Sequence, residues 1–136
     1  MNNPAPIAFI ARLLLALLFV LAGAFKFADL AGTAGFIASK GLPLPQFLAF
    51  ATAALEVVGG LAIVIGFHAR WAALALALFT LVASFIFHDF WGAPAEQQMV
   101  QQLMFMKNMA VTGGLLLMVA LGAGPASLDA RRSALA

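Results

Sequence analysis

The chain has 136 residues, of which 65% are hydrophobic and 9% are charged, and its formal net charge is +2. This composition excludes a soluble domain of this size, because so few polar groups cannot cover so much apolar surface. The small, scattered positive charge argues against a nucleic-acid-binding surface. The chain has no cysteine, which excludes disulfides, iron–sulfur clusters and thiol redox pairs within it.

Four apolar segments are long enough to cross a bilayer as helices, at about residues 7–28, 47–65, 69–87 and 94–121. A signal peptide is the alternative for the first segment, but no basic residue precedes it and Arg12 lies within it. We therefore predict an all-α integral membrane protein. The predicted fold is an antiparallel four-helix bundle that forms a single transmembrane domain over residues 1–136.

The first predicted helix carries two cations on one face. Arg12, Ala16, Phe19, Gly23 and Lys26 recur at spacings of four and three residues, so their side chains share a stripe. The glycine lets a neighbouring helix approach closely. The two cations either point into the bundle or extend to opposite membrane interfaces. For Lys26 both alternatives stay open, whereas the deeper position of Arg12 favours a buried partner.

Residues 29–46 form the longest connection. Its glycines and prolines suggest a loop, but Leu30, Phe36, Ile37 and Leu42 are more apolar than a hydrated loop requires. We predict a short interfacial or re-entrant helix that ends near Gly41, because irregular backbone at membrane depth must be shielded by protein. This helix would cover one mouth of the bundle.

The second helix has a carboxylate near its middle. Glu56 shares a stripe with Gly59, Gly60 and Ile63, about 16 Å along the axis from the start of the helix. A charged side chain at the centre of a bilayer costs about 2.5–3.5 kcal/mol without a partner. The sequence therefore predicts a partner on another helix.

The third and fourth helices bring further polar groups to the same depth. The turn at residues 66–70 is so short that the second and third helices must be antiparallel neighbours. The third helix ends at His88, near aromatic residues that suit a membrane interface. After Pro94 the fourth helix begins, and Lys107 and Asn108 lie about one turn inside the lipid.

Antiparallel packing would gather these groups around the glutamate, with Ser84 and Thr112 as hydrogen-bonding neighbours. We rank Lys107 first and Arg12 second as the ion-pair partner of Glu56. The candidate ligand-binding or proton-relay residues are Glu56, Lys107, Asn108, His88, Lys26 and Arg12. No catalytic residue is assigned. A metal site is not expected, because His68 and His88 lie about 30 Å apart at opposite ends of the third helix.

Two interpretations of this polar group remain open. One is that the polar group specifies the register of the helices. The alternative is a pocket with a polar end, in which Phe19, Phe85, Phe87, Phe105 and several methionines would suit a flat apolar molecule. No covalently bound cofactor is expected, and a quinone is the candidate ligand.

Basic residues indicate the orientation. Arg12, Arg70, Arg131 and Arg132 fall on one side, and Lys26, Lys40 and Lys107 on the other. Because Lys107 lies within a helix, the loops favour both termini in the cytoplasm. We expect the tail at residues 122–136 to be short and only partly ordered.

The order and spacing of several motifs resemble the DoxX family of small four-helix bacterial membrane proteins over about residues 7–129. The motifs are Arg12 with Gly23 and Lys26, Lys40-Gly-Leu-Pro43, Glu56-Val-Val-Gly-Gly-Leu with Gly66 and Arg70, Phe87-His-Asp-Phe-Trp91, and Lys107-Asn108 before Gly113-Gly114. The resemblance implies that the protein lies in the bacterial inner membrane. It also implies an association with redox-related complexes, since members of the family include a thiosulfate:quinone oxidoreductase subunit.

On this basis we expect a subunit of a quinone-linked complex rather than a stand-alone enzyme, because redox chemistry here needs a bound quinone or a partner chain. Its partners would be the lipid bilayer, redox proteins and further copies of the chain, and not nucleic acid. The alternatives are a non-catalytic scaffold for partner enzymes and, with less support, a small-molecule transporter, since no helix is visibly broken.

Overall fold

Four long apolar helices form the body of the protein. In a computed structural model, which describes residues 4–135, they are α1 (Ala5–Ala28), α3 (Pro45–Ile65), α4 (Ala69–Phe87) and α5 (Ala95–Leu121). Each is long and apolar enough to cross a bilayer. The shorter helices are α2 (Leu30–Ser39) and α6 (Leu128–Leu135), and residues 4–135 contain no strand. The predicted all-helical fold class, with a short apolar helix between the first two spanning helices, is confirmed.

The spanning helices pack as two pairs. α1 lies along α3, and α4 lies along α5, while contacts between α3 and α4 join the pairs. α1 and α5 contact each other only sparsely. The tight turn at Gly66 makes α3 and α4 antiparallel neighbours, as its length predicts. Gly66 has φ +68 and ends α3 in the left-handed conformation that glycine adopts readily.

Gly23 determines how closely α1 approaches α3. A Cβ atom at this position would lie 2.7 Å from the carbonyl oxygen of Ala53 and 2.7 Å from Cγ2 of Val57. Any side chain would therefore push the two helices apart. The prediction that Gly23 permits a close approach is confirmed.

The bundle has two ends, which we name after the segments that lie there. The terminal end holds the start of α1, the turn between α3 and α4, the end of α5, and α6. The α2 end holds α2 and the 3₁₀ turn Phe90–Gly92, which links α4 to α5. Ile63, Leu76 and Leu115 have no exposed surface and form part of the apolar core toward the terminal end. This buried layer separates the polar groups at the two ends.

The connection at the α2 end contains the predicted short helix. Asp29 caps its start, since Oδ1 accepts a hydrogen bond of 2.8 Å from the backbone N–H of Gly32. The helix ends at Ser39, and Gly41 follows with φ +75. Ala34 and Ile37 are buried and pack with Ala49 of α3. The apolar residues of this connection thus fasten α2 to the bundle.

The tail is not the partly ordered end that its composition suggests. It folds as α6 and docks on the turn between α3 and α4 through Asp129. The two carboxylate oxygens of Asp129 accept hydrogen bonds from the backbone N–H groups of His68 and Ala69, each at 2.9 Å. Its own N–H donates to the carbonyl oxygen of Gly66 at 2.9 Å. A residue of the tail therefore caps the start of α4.

Candidate functional site

A cavity of about 290 Å³ lies between the helices at the α2 end. Helices α1 to α5 all contribute side chains to its walls. Five of the six residues proposed from the sequence line it, namely Lys26, Glu56, His88, Lys107 and Asn108. We call this space the α2-end cavity. It concentrates polar groups within an otherwise apolar part of the protein.

Lys26, and not Lys107, is the ion-pair partner of Glu56. Nζ of Lys26 donates to Oε2 of Glu56 at 2.5 Å. The carboxylate is buried, whereas the lysine side chain is 27% exposed and also lies over the ring of Phe79. The ranking that placed Lys107 first and Arg12 second is wrong. Depth along a helix does not determine which way it is rotated, and the rotation of α1 turns Lys26 toward α3.

The helical stripes that carry this pair form as the spacing predicts. On α1 the buried residues are Arg12, Ala16, Phe19 and Gly23, and on α3 they include Glu56, Gly59, Gly60 and Ile63. Gly60 leaves room for Val20 of α1, because a Cβ atom at position 60 would lie 2.8 Å from Cγ2 of Val20. The small residues of α3 therefore allow α1 to come near enough for the lysine to reach the carboxylate.

Three further polar residues border the cavity from α4 and α5. Asn108 is buried, at 9% exposure. Lys107 is an exposed residue, and its Nζ lies 3.7 Å from Sδ of Met104. His88 follows the end of α4, where its Nδ1 forms a hydrogen bond of 2.9 Å with Oε1 of Gln101. This hydrogen bond ties the end of α4 to α5 across the 3₁₀ turn.

Thr80 is a residue that the sequence interpretation missed. It lines the cavity and is 5% exposed, yet its hydroxyl forms no hydrogen bond to any group among residues 4–135. A buried hydroxyl without a partner is unfavourable by about 1–3 kcal/mol. The available signal was Thr80 lying four residues before Ser84 on one helix face.

Ser84 and Thr112 do not serve the glutamate as expected. Oγ of Ser84 donates to the carbonyl oxygen of Thr80 at 2.6 Å, within its own helix. The Thr112 hydroxyl has no partner among residues 4–135, and Thr112 is absent from the cavity wall. Short hydroxyl side chains in a helix readily donate to a carbonyl oxygen of the preceding turn, which explains why Ser84 bonds to its own helix and not to Glu56.

The aromatic lining differs from the prediction in half of its members. Phe19 and Phe87 line the cavity, and they are joined by Phe36 and Phe79. The other two predicted aromatics pack elsewhere in a cluster near the membrane interface, formed by Phe85, Phe90, Trp91 and Phe105. None of the methionines within residues 4–135 lines the cavity. Phe85 lies two residues before Phe87 on α4, so the two side chains point to different faces of the helix.

Arg12 lies away from the cavity, at the terminal end. It is 2% exposed, and its Nη2 donates to the carbonyl oxygen of Ala126 at 2.7 Å. Arg12 is buried as expected, but its partner is the backbone carbonyl of an exposed residue, and its Nε and Nη1 have no hydrogen-bond partner among residues 4–135. Arg12 therefore helps to hold the tail, and its predicted place as a second cation below Glu56 is wrong.

α2 covers one side of the cavity. Thr33, Phe36 and Ile37 of this helix form part of its wall. Two contacts hold the helix against α4, and both lie near the end of α2. Phe36 and Phe87 have ring centroids 5.2 Å apart, and Nζ of Lys40 lies 2.9 Å from Oδ1 of Asp89.

Comparison with known proteins identifies the family. The DoxX family model matches residues 7–89, which is more than half of the chain. The chain belongs to the DoxX family. The matched region contains α2 to α4 and nearly all of α1, and it therefore includes both members of the Lys26–Glu56 pair. The resemblance stated from the motifs is confirmed.

Two relatives of this DoxX protein come from Escherichia coli (strain K12). Inner membrane protein YqjF is 40% identical over 120 residues, covering 88% of this chain and 87% of the relative. Inner membrane protein YphA is 33% identical over 122 residues, covering 90% and 87%. A homolog of Surfeit locus protein 4 from Schizosaccharomyces pombe is 35% identical over 80 residues, which cover 57% of this chain and 26% of that protein. No solved structure matches significantly.

The relatives and the helices together describe a membrane-embedded protein. The two bacterial relatives are inner membrane proteins by name, and this DoxX protein has four helices that can span a bilayer among residues 4–135. Its outward-facing side chains are largely apolar, including Leu14, Phe25, Val58 and Leu117. Such a surface is stable against lipid chains and not against water.

Proposed function

We propose that this protein binds a small, flat, amphipathic molecule of the quinone type in the α2-end cavity. The observation that carries the proposal is Thr80, which lines the cavity and whose buried hydroxyl has no hydrogen-bond partner among residues 4–135. Buried polar groups in proteins are almost always paired. An oxygen atom of a ligand would supply the hydrogen-bond partner that the Thr80 hydroxyl lacks. A polar cluster that only fixes helix register would not require an open space beside it.

The charges of the cavity favour a ligand with acceptor oxygens. Lys26 and Lys107 contribute two cations, and Glu56 contributes one carboxylate that Lys26 already engages. Lys107 has only a thioether sulfur close to its ammonium group among residues 4–135. Lys107 and the amide of Asn108 can therefore donate hydrogen bonds to a carbonyl group. Charge-assisted bonds of this kind are the stronger ones.

The size and the walls suit a single ring. Small-molecule sites commonly enclose roughly 300–1,000 Å³, and the cavity encloses about 290 Å³. Phe19, Phe36, Phe79 and Phe87 supply aromatic surface against which a flat ring can stack. An isoprenoid tail would remain in lipid. A bound quinone would supply electron-carrier chemistry, and the electron donor would belong to a partner protein of a redox complex.

Binding of a short-chain benzoquinone to the full chain in lipid nanodiscs tests the proposal by isothermal titration calorimetry. Thr80→Val removes one hydrogen bond worth about 0.5–1.5 kcal/mol, so we expect affinity to fall about two- to twelvefold. Thr112→Val is the matched control, because Thr112 is also buried and unpartnered among residues 4–135 but does not line the cavity. Equal effects of the two substitutions, or no saturable binding, would reject the proposal.

We also propose that both termini lie in the cytoplasm. The four arginines are at the terminal end, whereas Lys26 and Lys107 border the cavity and leave Lys40 at the α2 end. Basic residues near helix ends are enriched on the cytoplasmic side. A membrane-impermeant maleimide applied to intact cells should label Ser39→Cys and not Ser133→Cys. The reverse labelling pattern would overturn this orientation.

A further inference from the structure

A second cavity lies at the terminal end, on the far side of the apolar layer from the first. It encloses about 310 Å³. Its walls come from the start of α4 and from α6, and they consist of His68, Arg70, Trp71, Asp129, Arg132 and Ser133. We call it the terminal-end cavity. None of its residues belongs to the α2-end cavity, so a ligand here would be independent of the proposed quinone site.

The terminal end carries a strong excess of positive charge. All four arginines of the chain are located there, and Asp129 is the carboxylate that accompanies them among residues 4–135. Both oxygens of Asp129 already accept backbone hydrogen bonds from the start of α4. The ion pairs among residues 4–135 are Lys26–Glu56 and Lys40–Asp89, so neither Arg70 nor Arg132 is neutralised by a carboxylate.

Both cavity arginines are held in place. Nη1 of Arg70 donates to the carbonyl oxygens of Val119 and Ala120, each at 2.9 Å, at the end of α5. This leaves Nε and Nη2 of Arg70 without a hydrogen-bond partner among residues 4–135. The guanidinium of Arg132 lies 5.7 Å from the centre of the Phe67 ring, and its Nη1 is 3.3 Å from Nε2 of His68. Fixed guanidinium groups bind phosphate oxygens with little further loss of freedom.

The position of the cavity indicates the source of the anion. It lies where α3 and α5 end and α4 begins, which is the level at which spanning helices leave the hydrocarbon. Trp71 is 71% exposed beside Arg70, as expected for an indole at the membrane interface. Basic side chains at this depth, beside the end of a spanning helix, attract the head groups of anionic lipids.

We propose that the terminal-end cavity binds the phosphate group of an anionic phospholipid. Arg70 and Arg132 donate to the phosphate oxygens, and Trp71 packs beside the glycerol region. The free anion with the same chemistry is inorganic phosphate. The lipid is favoured because its phosphate is already held at this level by the bilayer.

The test uses the full chain in nanodiscs that contain phosphatidylcholine with phosphatidylglycerol. Native mass spectrometry measures how much phosphatidylglycerol leaves with the protein relative to phosphatidylcholine. Arg132→Gln should reduce this preference about fivefold more than removal of a nearby charge alone, because it also removes the guanidinium that donates hydrogen bonds to the phosphate. Arg131→Gln is the matched control, because it removes the same charge from the neighbouring residue, which does not line the cavity.

A parallel experiment distinguishes the lipid from the free anion. Inorganic phosphate is added to nanodiscs of phosphatidylcholine alone, and the thermal midpoint of unfolding is followed. A rise that Arg132→Gln abolishes and Arg131→Gln preserves, without a phosphatidylglycerol preference, would assign the site to free phosphate and reject the lipid. Equal behaviour of the two variants in both experiments would reject the site altogether. Arg70→Gln is secondary, since it also removes the hydrogen bonds to α5.

Discussion

Lys26 of α1 and Glu56 of α3 form a hydrogen-bonded ion pair of 2.5 Å at the wall of the α2-end cavity. The carboxylate is nearly inaccessible, at 6% side-chain exposure, whereas the lysine retains 27%. The pair therefore joins the two most closely packed helices and also presents charge to the space between them. The contribution of the pair to stability can be measured by substituting its two members.

Removing either member of this pair should destabilise the protein, and removing both should destabilise it by less than the sum. A buried charge without its partner is more costly than no charge at all. For Lys26→Met, Glu56→Gln and the double variant, we expect a coupling energy of about 1–3 kcal/mol. Unfolding in mixed detergent micelles gives the three free energies.

The Lys40–Asp89 pair provides the control for that cycle. Its side chains are 29% and 40% exposed, and its atoms are 2.9 Å apart. Exposed ion pairs contribute about 0–1 kcal/mol, so Lys40→Met and Asp89→Asn should be nearly additive. Additivity at Lys26 and Glu56 as well would show that the pair contributes no coupling to stability.

Gly23→Ala should weaken the packing of α1 on α3. The added methyl group would lie 2.7 Å from a backbone oxygen of Ala53, so the helices must separate. Overpacking of this kind costs about 1–3 kcal/mol. Gly113→Ala on α5 is the control, because no atom lies within 4 Å of its added carbon. Alanine there should be neutral or stabilising by about 0.5–1 kcal/mol. Similar losses at both positions would contradict the close approach.

Lys40→Ala should let α2 move away from the cavity more often. The absence of cysteine from the chain makes Thr33→Cys a specific probe, because Thr33 is half-buried and lines the cavity. Loss of a contact worth up to about 1 kcal/mol should raise the rate of maleimide labelling by as much as fivefold. Ser39→Cys, which is exposed on the same helix, should react at an unchanged rate. If neither rate responds, Lys40 does not hold α2 closed.

Asp129→Ala should release α6 from the turn between α3 and α4. The substitution removes the two hydrogen bonds to the start of α4, and loss of a helix cap costs about 0.5–2 kcal/mol. Trypsin should then cut after Arg131 and Arg132 more rapidly. Asp129→Asn keeps one acceptor oxygen and should be affected less. Unchanged cleavage of the alanine variant would show that other contacts hold the tail.

The structure also explains why some interactions could be anticipated and others could not. The sharing of one face by Arg12, Gly23 and Lys26 follows from helical periodicity, and so does the stripe of Glu56 and Gly60. The pairing of Lys26 with Glu56 depends on the rotation of two helices about their axes, which spacing within one helix does not specify. The same uncertainty placed Phe85 and Phe105 in the cavity, where Phe36 and Phe79 lie instead.

The sequence by itself determined that the protein lies in lipid, and it determined the number and length of the spanning helices, the short helix between the first two, and the family. These follow from local composition and from distances along the chain, because a bilayer requires about 20 apolar residues for each helix. Only the tertiary structure decided that Lys26 neutralises Glu56, that Thr80 faces a cavity, and that Asp129 caps α4. Each of these contacts joins residues far apart in the chain, so it depends on how the helices pack and on where their flexible side chains point.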